Sequence, residues 1–148
     1  MKTIIILLLS CISLVAQEPT NLRQKYNAPL SETYLIRSGI YVTVTHAKSG
    51  EICEMLISPT SLAESLNGRS RKNIRAEVLT EIIDELVPMN QRGKFVKRSF
   101  MNVDCLPDCS YSGDVFRYER VVIFQAKSGV KNMVRYARIR FENAACEN

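Results

Sequence analysis

The chain has 148 residues, 46% hydrophobic and 24% charged, with a formal net charge of +5. That length supplies one core, and the ordinary balance of apolar and charged residues excludes wholesale disorder. One histidine and no tryptophan exclude centres built from several imidazoles. Residues 1–17 read as an export signal. Lys2 supplies a basic start, Ile4 to Leu9 begin an apolar run of about 13 residues, and Ala16 offers a small residue before cleavage at Ala16 or Gln17. The run is shorter than the roughly 18 residues a spanning helix needs. A lipoprotein box at Leu8-Leu9-Ser10-Cys11, with Cys11 acylated, is the alternative, and a buried N-terminal helix is the bland one. No later segment is long and apolar enough to span a membrane. Removal of the leader leaves 19 basic and 15 acidic residues, a mild excess of +4.

Residues 18–32 are polar, contain Pro19 and Pro29, and read as a flexible tether to a single domain at 33–148. Residues 33–57 have β character. Ile40, Val42 and Val44 alternate with Tyr41, Thr43 and Thr45, the period of a half-buried strand. Ala47-Lys48-Ser49-Gly50 is a turn. A four-residue loop there pairs Val44 with Cys53, Val42 with Met55 and Ile40 with Ile57, all on one face. Ser61 and Glu64 fit a capping box for a short helix at 61–67, stopped by Gly68.

The clearest helix spans 74–87. Ile74, Val78, Ile82 and Leu86 recur every four residues, with Leu79 and Ile83 beside them. Asn73 caps its start and Pro88 marks its end. Residues 95–103 alternate as a strand, Cys105–Gly113 reads as a loop, and 115–126 contain a central strand at Val121 to Phe124. Met133 to Phe141 form the last strand, with Tyr136, Arg138 and Arg140 along one side. Ala-Lys-Ser-Gly recurs at 47–50 and 126–129 between strand-like runs, which reads as shared turn chemistry rather than duplication. The expected fold is α+β in two layers. An antiparallel sheet of about five strands is covered by the helix at 74–87 and a short helix at 61–67.

With Cys11 in the leader, Cys53, Cys105, Cys109 and Cys146 remain, an even set that reads as two disulfides in an exported chain. Paired C-x₂-C knuckles for zinc are absent, and Cys105-x₃-Cys109 lacks thioredoxin-type spacing. Extending the last hairpin, with partners summing to about 255–259, places Cys146 opposite about 109–113. That predicts Cys109–Cys146 and leaves Cys53–Cys105.

No motif assigns an activity. His46, at a turn, is the sole imidazole available to a Ser-His-Asp or Cys-His site, and reads as a surface residue. Glu77, Glu81 and Glu85 form an acidic helix stripe without a calcium loop, and read as a solvated face. Basic residues gather at Arg69, Arg71, Lys72 and Arg75, a candidate polyanion site, and again at Arg92, Lys94, Lys97 and Arg98. No phosphate-cradling glycine loop occurs, no cofactor or metal site is indicated, and nucleic acid is not expected.

Gly50-Glu51-Ile52-Cys53-Glu54-Met55, then Glu81-Ile82-Ile83-Asp84-Glu85-Leu86-Val87-Pro88 and Arg92-Gly93-Lys94, resemble small, exported, uncharacterised bacterial proteins across about 33–146. That resemblance implies export and a single domain, and no site. The strand–strand–helix–strand order is similar to the C-terminal domain of TonB-type periplasmic proteins, an analogy of fold that carries no function. The expectation is therefore an exported, periplasmic or extracellular, disulfide-stapled domain of the bacterial envelope with a binding or structural role. Its expected partner is an envelope protein or an anionic cell-wall polymer. The rival reading is a small secreted hydrolase using His46 or the helix carboxylates.

Overall fold

Alternation along the chain divides the residues between two sheet faces. In the computed structural model, which describes residues 31–60, 72–105, 109–143 and 146, the buried residues of the central strands are chiefly apolar, whereas the outer strands leave Leu35, Phe95 and Phe100 exposed. The strands are β1 (Ser31–Arg37), β2 (Ile40–His46), β3 (Ile52–Ser58), β4 (Ile74–Arg75), β5 (Phe95–Cys105), β6 (Cys109–Tyr118), β7 (Val121–Lys127) and β8 (Met133–Phe141). The helices are α1 (Ala76–Leu86) and the single turn α2 (Met89–Arg92).

All strands join one antiparallel sheet in the order β1-β2-β3-β8-β7-β6-β5, with β4 also pairing β8. It consists of two meanders, β1–β3 and β5–β8, set side by side where β3 meets β8. One register row runs Val44, Met55, Ile139, Ile123, Phe116 across five strands. The first four of these are buried and Phe116 packs against them, and Leu79, Ile82 and Ile83 of α1 lie against the same cluster. Cys53, fully buried, is bridged to Cys146 with Cα atoms 5.4 Å apart. On the chain-entropy view, closing a loop of 93 residues is worth about 4–5 kcal/mol.

The expected two-layer α+β fold is therefore corrected. Among the described residues the chain is mostly antiparallel β, with eight strands rather than about five, and with helices of 11 and 4 residues. Three strands account for the difference: β1, β4 at the expected start of the helix, and β6 as a strand separate from β7. β1 lies at 31–37, partly within the expected tether. Cys105–Gly113, expected as a loop, is the tip of a long hairpin whose β6 begins at Cys109. The run 115–126 belongs to two strands, β6 and β7, that turn at Glu119-Arg120. The turn residues Glu119-Arg120 are polar but include no Gly, Pro, Asn or Asp, the residues that usually mark a hairpin turn, so the two strands read as one.

The helix starts two residues later than expected. Ile74 and Arg75 pair with Val134 and Met133 as β4, and the Ala76 N–H donates to the Asn132 carbonyl at 2.9 Å. Ile74 is buried in either conformation, so its periodicity does not separate them. Arg75, not Asn73, occupies the N-cap, with no side-chain cap bond. The segment 61–67 lies outside the described residues.

The first hairpin is also corrected. Val42 faces Ile57 and Val44 faces Met55, two residues from the expected register. The turn is longer than four residues. Ala47 N–H donates to Glu51 O at 2.8 Å, and a bulge at Thr45–His46 absorbs the difference. A slip of two preserves the faces, so the inward set was right although the partners were not. Gly50 has φ +86°, as its turn position requires. The second Ala-Lys-Ser-Gly differs, because Ala126 and Lys127 stay in β7 and Asn132 takes the left-handed residue at φ +58°.

Ile82, 1% exposed, fills the space between α1 and the sheet. Ile82→Ala should cost about 2–5 kcal/mol in chemical denaturation. Glu81→Ala, which loses only an exposed ion pair with Arg37, should cost no more than about 1 kcal/mol. Equal losses would place the acidic stripe in a buried contact.

Candidate polyanion-binding face

Outward residues of the same strands build the second face of the sheet. Arg138 and Arg140 alternate with buried Ala137 and Ile139 on β8. The register sets Arg138 opposite Leu56 and Phe124, and Arg140 opposite Glu54 and Val122. Val122 in turn faces Arg117, which faces Lys97 on β5. Glu54 bridges both arginines of β8, with Arg138 Nε 3.4 Å from Oε1 and Arg140 Nη2 3.6 Å from Oε2. Arg117 Nη2 donates to Glu142 Oε1 at 3.1 Å. Arg138 and Arg140 keep 49% and 63% of their side-chain surface exposed although paired. Lys97, Arg117, Arg138 and Arg140 thus face two carboxylates, Glu54 and Glu142, leaving an excess of two positive charges.

The surface around them is firm. The Phe124 ring lies 5.9 Å from Tyr136, centroid to centroid, and covers Gly113, where a β-carbon would meet that ring and the Gln125 carbonyl oxygen. Thr33 and Thr43 hydroxyls bond at 2.9 Å farther along the face. A sheet face with partly exposed guanidinium groups in one row is suited to a series of anionic groups on an extended chain.

A second charged group lies on the helix side, toward β5. Asp114 accepts from Arg98 Nη2 at 3.0 Å and Lys127 Nζ at 3.3 Å. The same cations lie over aromatic rings, Arg98 on Phe116 and Lys127 on Phe100, at 5.2 and 5.0 Å from the centroids. Burial pushes the Asp114 carboxyl up, but hydrogen bonds and charge from Arg98 and Lys127 outweigh it and hold it below the usual carboxylate range.

The candidate residues expected from sequence are not brought together in this way. Of the polyanion set, Arg69 and Arg71 lie outside the described residues, while Lys72 and Arg75 are exposed. In the second basic cluster Arg92 is 4% exposed. Its Nε donates to the Val87 carbonyl at 2.7 Å, Nη2 to Asp84, and the guanidinium lies over Tyr118. It is a structural residue. Of the Glu77–Glu81–Glu85 stripe, Glu81 and Glu85 are ion-paired. Arg37 donates to Glu81 at 2.9 Å and Glu85 at 3.4 Å, and the Glu81 bond leads the causes that raise the Arg37 pKa. His46 ends β2 opposite Ile52, half-buried. Among the described residues no cluster of three His, Cys, Asp or Glu side chains could hold a metal, and no helix is long and apolar enough to cross a membrane.

Of the expected disulfide residues, Cys53 and Cys146 are bridged to each other, which overturns both Cys53–Cys105 and Cys109–Cys146. The β7–β8 partners sum to about 261–262, as in Ile123 with Ile139 and Lys127 with Val134, so the extrapolated register was too short. Arg138 and Arg140 were visible as a same-side pair on the last strand. Their convergence with Glu54 was not, because it needs the β3–β8 pairing of distant segments.

No family model matches the chain, and no curated protein is similar to it. Among solved structures, a DUF4309 family protein (YjgB) from Bacillus subtilis subsp. subtilis str. 168 is similar at 10% identity and a TM-score of 0.37, over 84% of this chain and 78% of that one.

Asp114→Asn should lower stability by about 0.5–1.5 kcal/mol near neutral pH. Because the folded-state pKa is lowered, the difference should be full above the unfolded aspartate value of about 4 and vanish as pH falls through the folded value. Denaturation of both proteins along a pH series checks this, and a gap that persists in acid would give Asp114 a role other than its charge.

Proposed function

We propose that the protein is an exported, disulfide-stabilised domain of the bacterial envelope that binds an anionic cell-wall polymer on the Arg117–Arg138–Arg140 face. The observation that carries the reading is the pair Arg138 and Arg140, both half-exposed or more on a central strand while sharing the single carboxylate of Glu54. A bound phosphate or carboxylate chain adds acceptors for donors that Glu54 does not use up. Phe124 and Tyr136 supply an apolar floor for the backbone of such a chain. The leader-like Lys2, Ile4–Leu9 and Ala16 pattern and the Cys53–Cys146 bridge support an oxidising, external location.

Binding to a soluble poly(glycerol phosphate) chain, with neutral dextran as control, tests the ligand class. Affinity should fall steeply from about 50 to about 500 mM salt, where screening shortens the reach of exposed charges. Arg138→Glu with Arg140→Glu should weaken it by at least about tenfold, which corresponds to about 1.4 kcal/mol. Binding that ignores salt or survives the double reversal would remove this face from the proposal. N-terminal sequencing of the exported chain should begin near Gln17 or Glu18. A lipid-modified Cys11 would replace free export with anchoring, and an intact cytoplasmic Met1 would end both.

A further inference from the structure

The cations of the outward face have a direction. Arg140, Val122, Arg117 and Lys97 are successive cross-strand partners on β8, β7, β6 and β5, so they form one row perpendicular to the strands. With neighbouring strands about 4.8 Å apart, the backbone of Lys97 lies about 5 Å from Arg117 and about 14 Å from Arg140. Lys97 is exposed and has no ion-pair partner among the described residues. Its neighbour Arg98 turns to the opposite face, over the Phe116 ring and onto Asp114. The direction along β8 is different. Past Arg140 the next outward residue is Glu142, paired with Arg117. Past Arg138 comes the Tyr136 ring beside Phe124, and then the β7–β8 turn with exposed Lys131. A chain following β8 meets a carboxylate at one end, and a ring before the next cation at the other. A chain crossing the strands passes the apolar Val122 and reaches two further cations.

We infer that the anionic chain crosses the strands, from Arg138 and Arg140 over Val122 to Arg117 and Lys97, and that the site selects a chain of several anionic groups over a single one. This rests on the reading above that the face binds an anionic polymer. Glu54 lies against Arg138 and Arg140 and repels an anion that binds there, so a lone phosphate gains little at that pair. Arg117 and Lys97 lie three and four strands from Glu54 in the same row. That is about 14 and about 19 Å, beyond the screening length of about 8 Å at physiological salt. A chain held at Arg140 meets both cations as an intramolecular event, which multiplies its affinity without strengthening any one contact.

The test uses poly(glycerol phosphate) as the chain and glycerol phosphate as the single anion, with the full protein and two variants. Lys97→Gln and Lys131→Gln each remove one exposed charge, the first at the end of the crossing path and the second at the end of the β8 path. Lys97→Gln should weaken polymer binding by at least about threefold and make its salt dependence shallower, and Lys131→Gln should leave it within about 1.5-fold. Glycerol phosphate should bind at least about a hundredfold more weakly than the polymer. A loss at Lys131 with Lys97 silent would lay the chain along β8 and overturn the crossing. Equal losses at both would reduce the effect to net charge and overturn it as well. Glycerol phosphate binding as tightly as the polymer would overturn the selection for chains. Polymer binding that is absent, or that survives Arg138→Glu with Arg140→Glu, is a different outcome and removes the polymer reading itself.

Discussion

The alternation of β8 is the constraint on which the molecule depends. Ala137 and Ile139 are wholly buried and Arg138 and Arg140 point the other way. A slip of one residue against either neighbour would drive two guanidinium groups into the cluster of Met55, Ile57 and Ile123, and bring alanine and isoleucine to the surface. The register of β8 is therefore fixed by the opposite character of its faces. Because β8 joins β3 on one side and β7 on the other, fixing it also fixes how the two meanders meet. The core and the basic face are two consequences of one pattern.

Paired charges then hold the connections that the apolar core does not reach. Arg92 links the end of α1 to the start of the long ribbon, through the Val87 carbonyl, Asp84 and the Tyr118 ring. Next to it Gly93 takes φ +77° against Glu119, and Lys94 and Glu119 are tied by two bonds, Glu119 N–H to Lys94 O and Lys94 N–H to the Glu119 side-chain Oε2. A buried arginine left without these acceptors would be strongly unfavourable, so the turn between helix and ribbon is specified as narrowly as a core position. This is why a residue that resembles a surface cation in the sequence belongs to the framework.

What was legible in the sequence follows the range of the interaction. The inward sets Val42, Val44, Met55 and Ile57, the helix face of Leu79, Ile82 and Ile83, and the strand Met133–Phe141 were readable, because each is a periodicity within a few residues. Strand count was not, since Val115–Phe124 is apolar on both sides of a two-residue turn and Cys105–Gly113 carries turn-rich composition within a hairpin. The first-hairpin register failed by two because a bulge at Thr45–His46 has no sequence mark. The candidate site was legible only in half: Arg138 and Arg140 share a side by spacing, but Glu54 reaches them by pairing segments more than eighty residues apart, which no local pattern encodes. The same holds for Cys53 and Cys146, where four cysteines allow three pairings and only the fold selects one.

The sheet is consequently uneven in how firmly it is held. β3, β8 and β7 have partners on both sides and the helix over their buried residues, whereas the far half of the β5–β6 ribbon has one partner per strand. Local opening proceeds from such ends inward, because its cost scales with the packed surface and pairing that must be given up. The basic face, centred on β8, lies over the part that opens last. The proposed binding of a repeating chain of charges gains from that placement, since guanidinium groups already paired with Glu54 lose less freedom on binding than free side chains would. The fold thus sets the basic face on strands paired on both sides, and that placement follows from the strand order of the sheet.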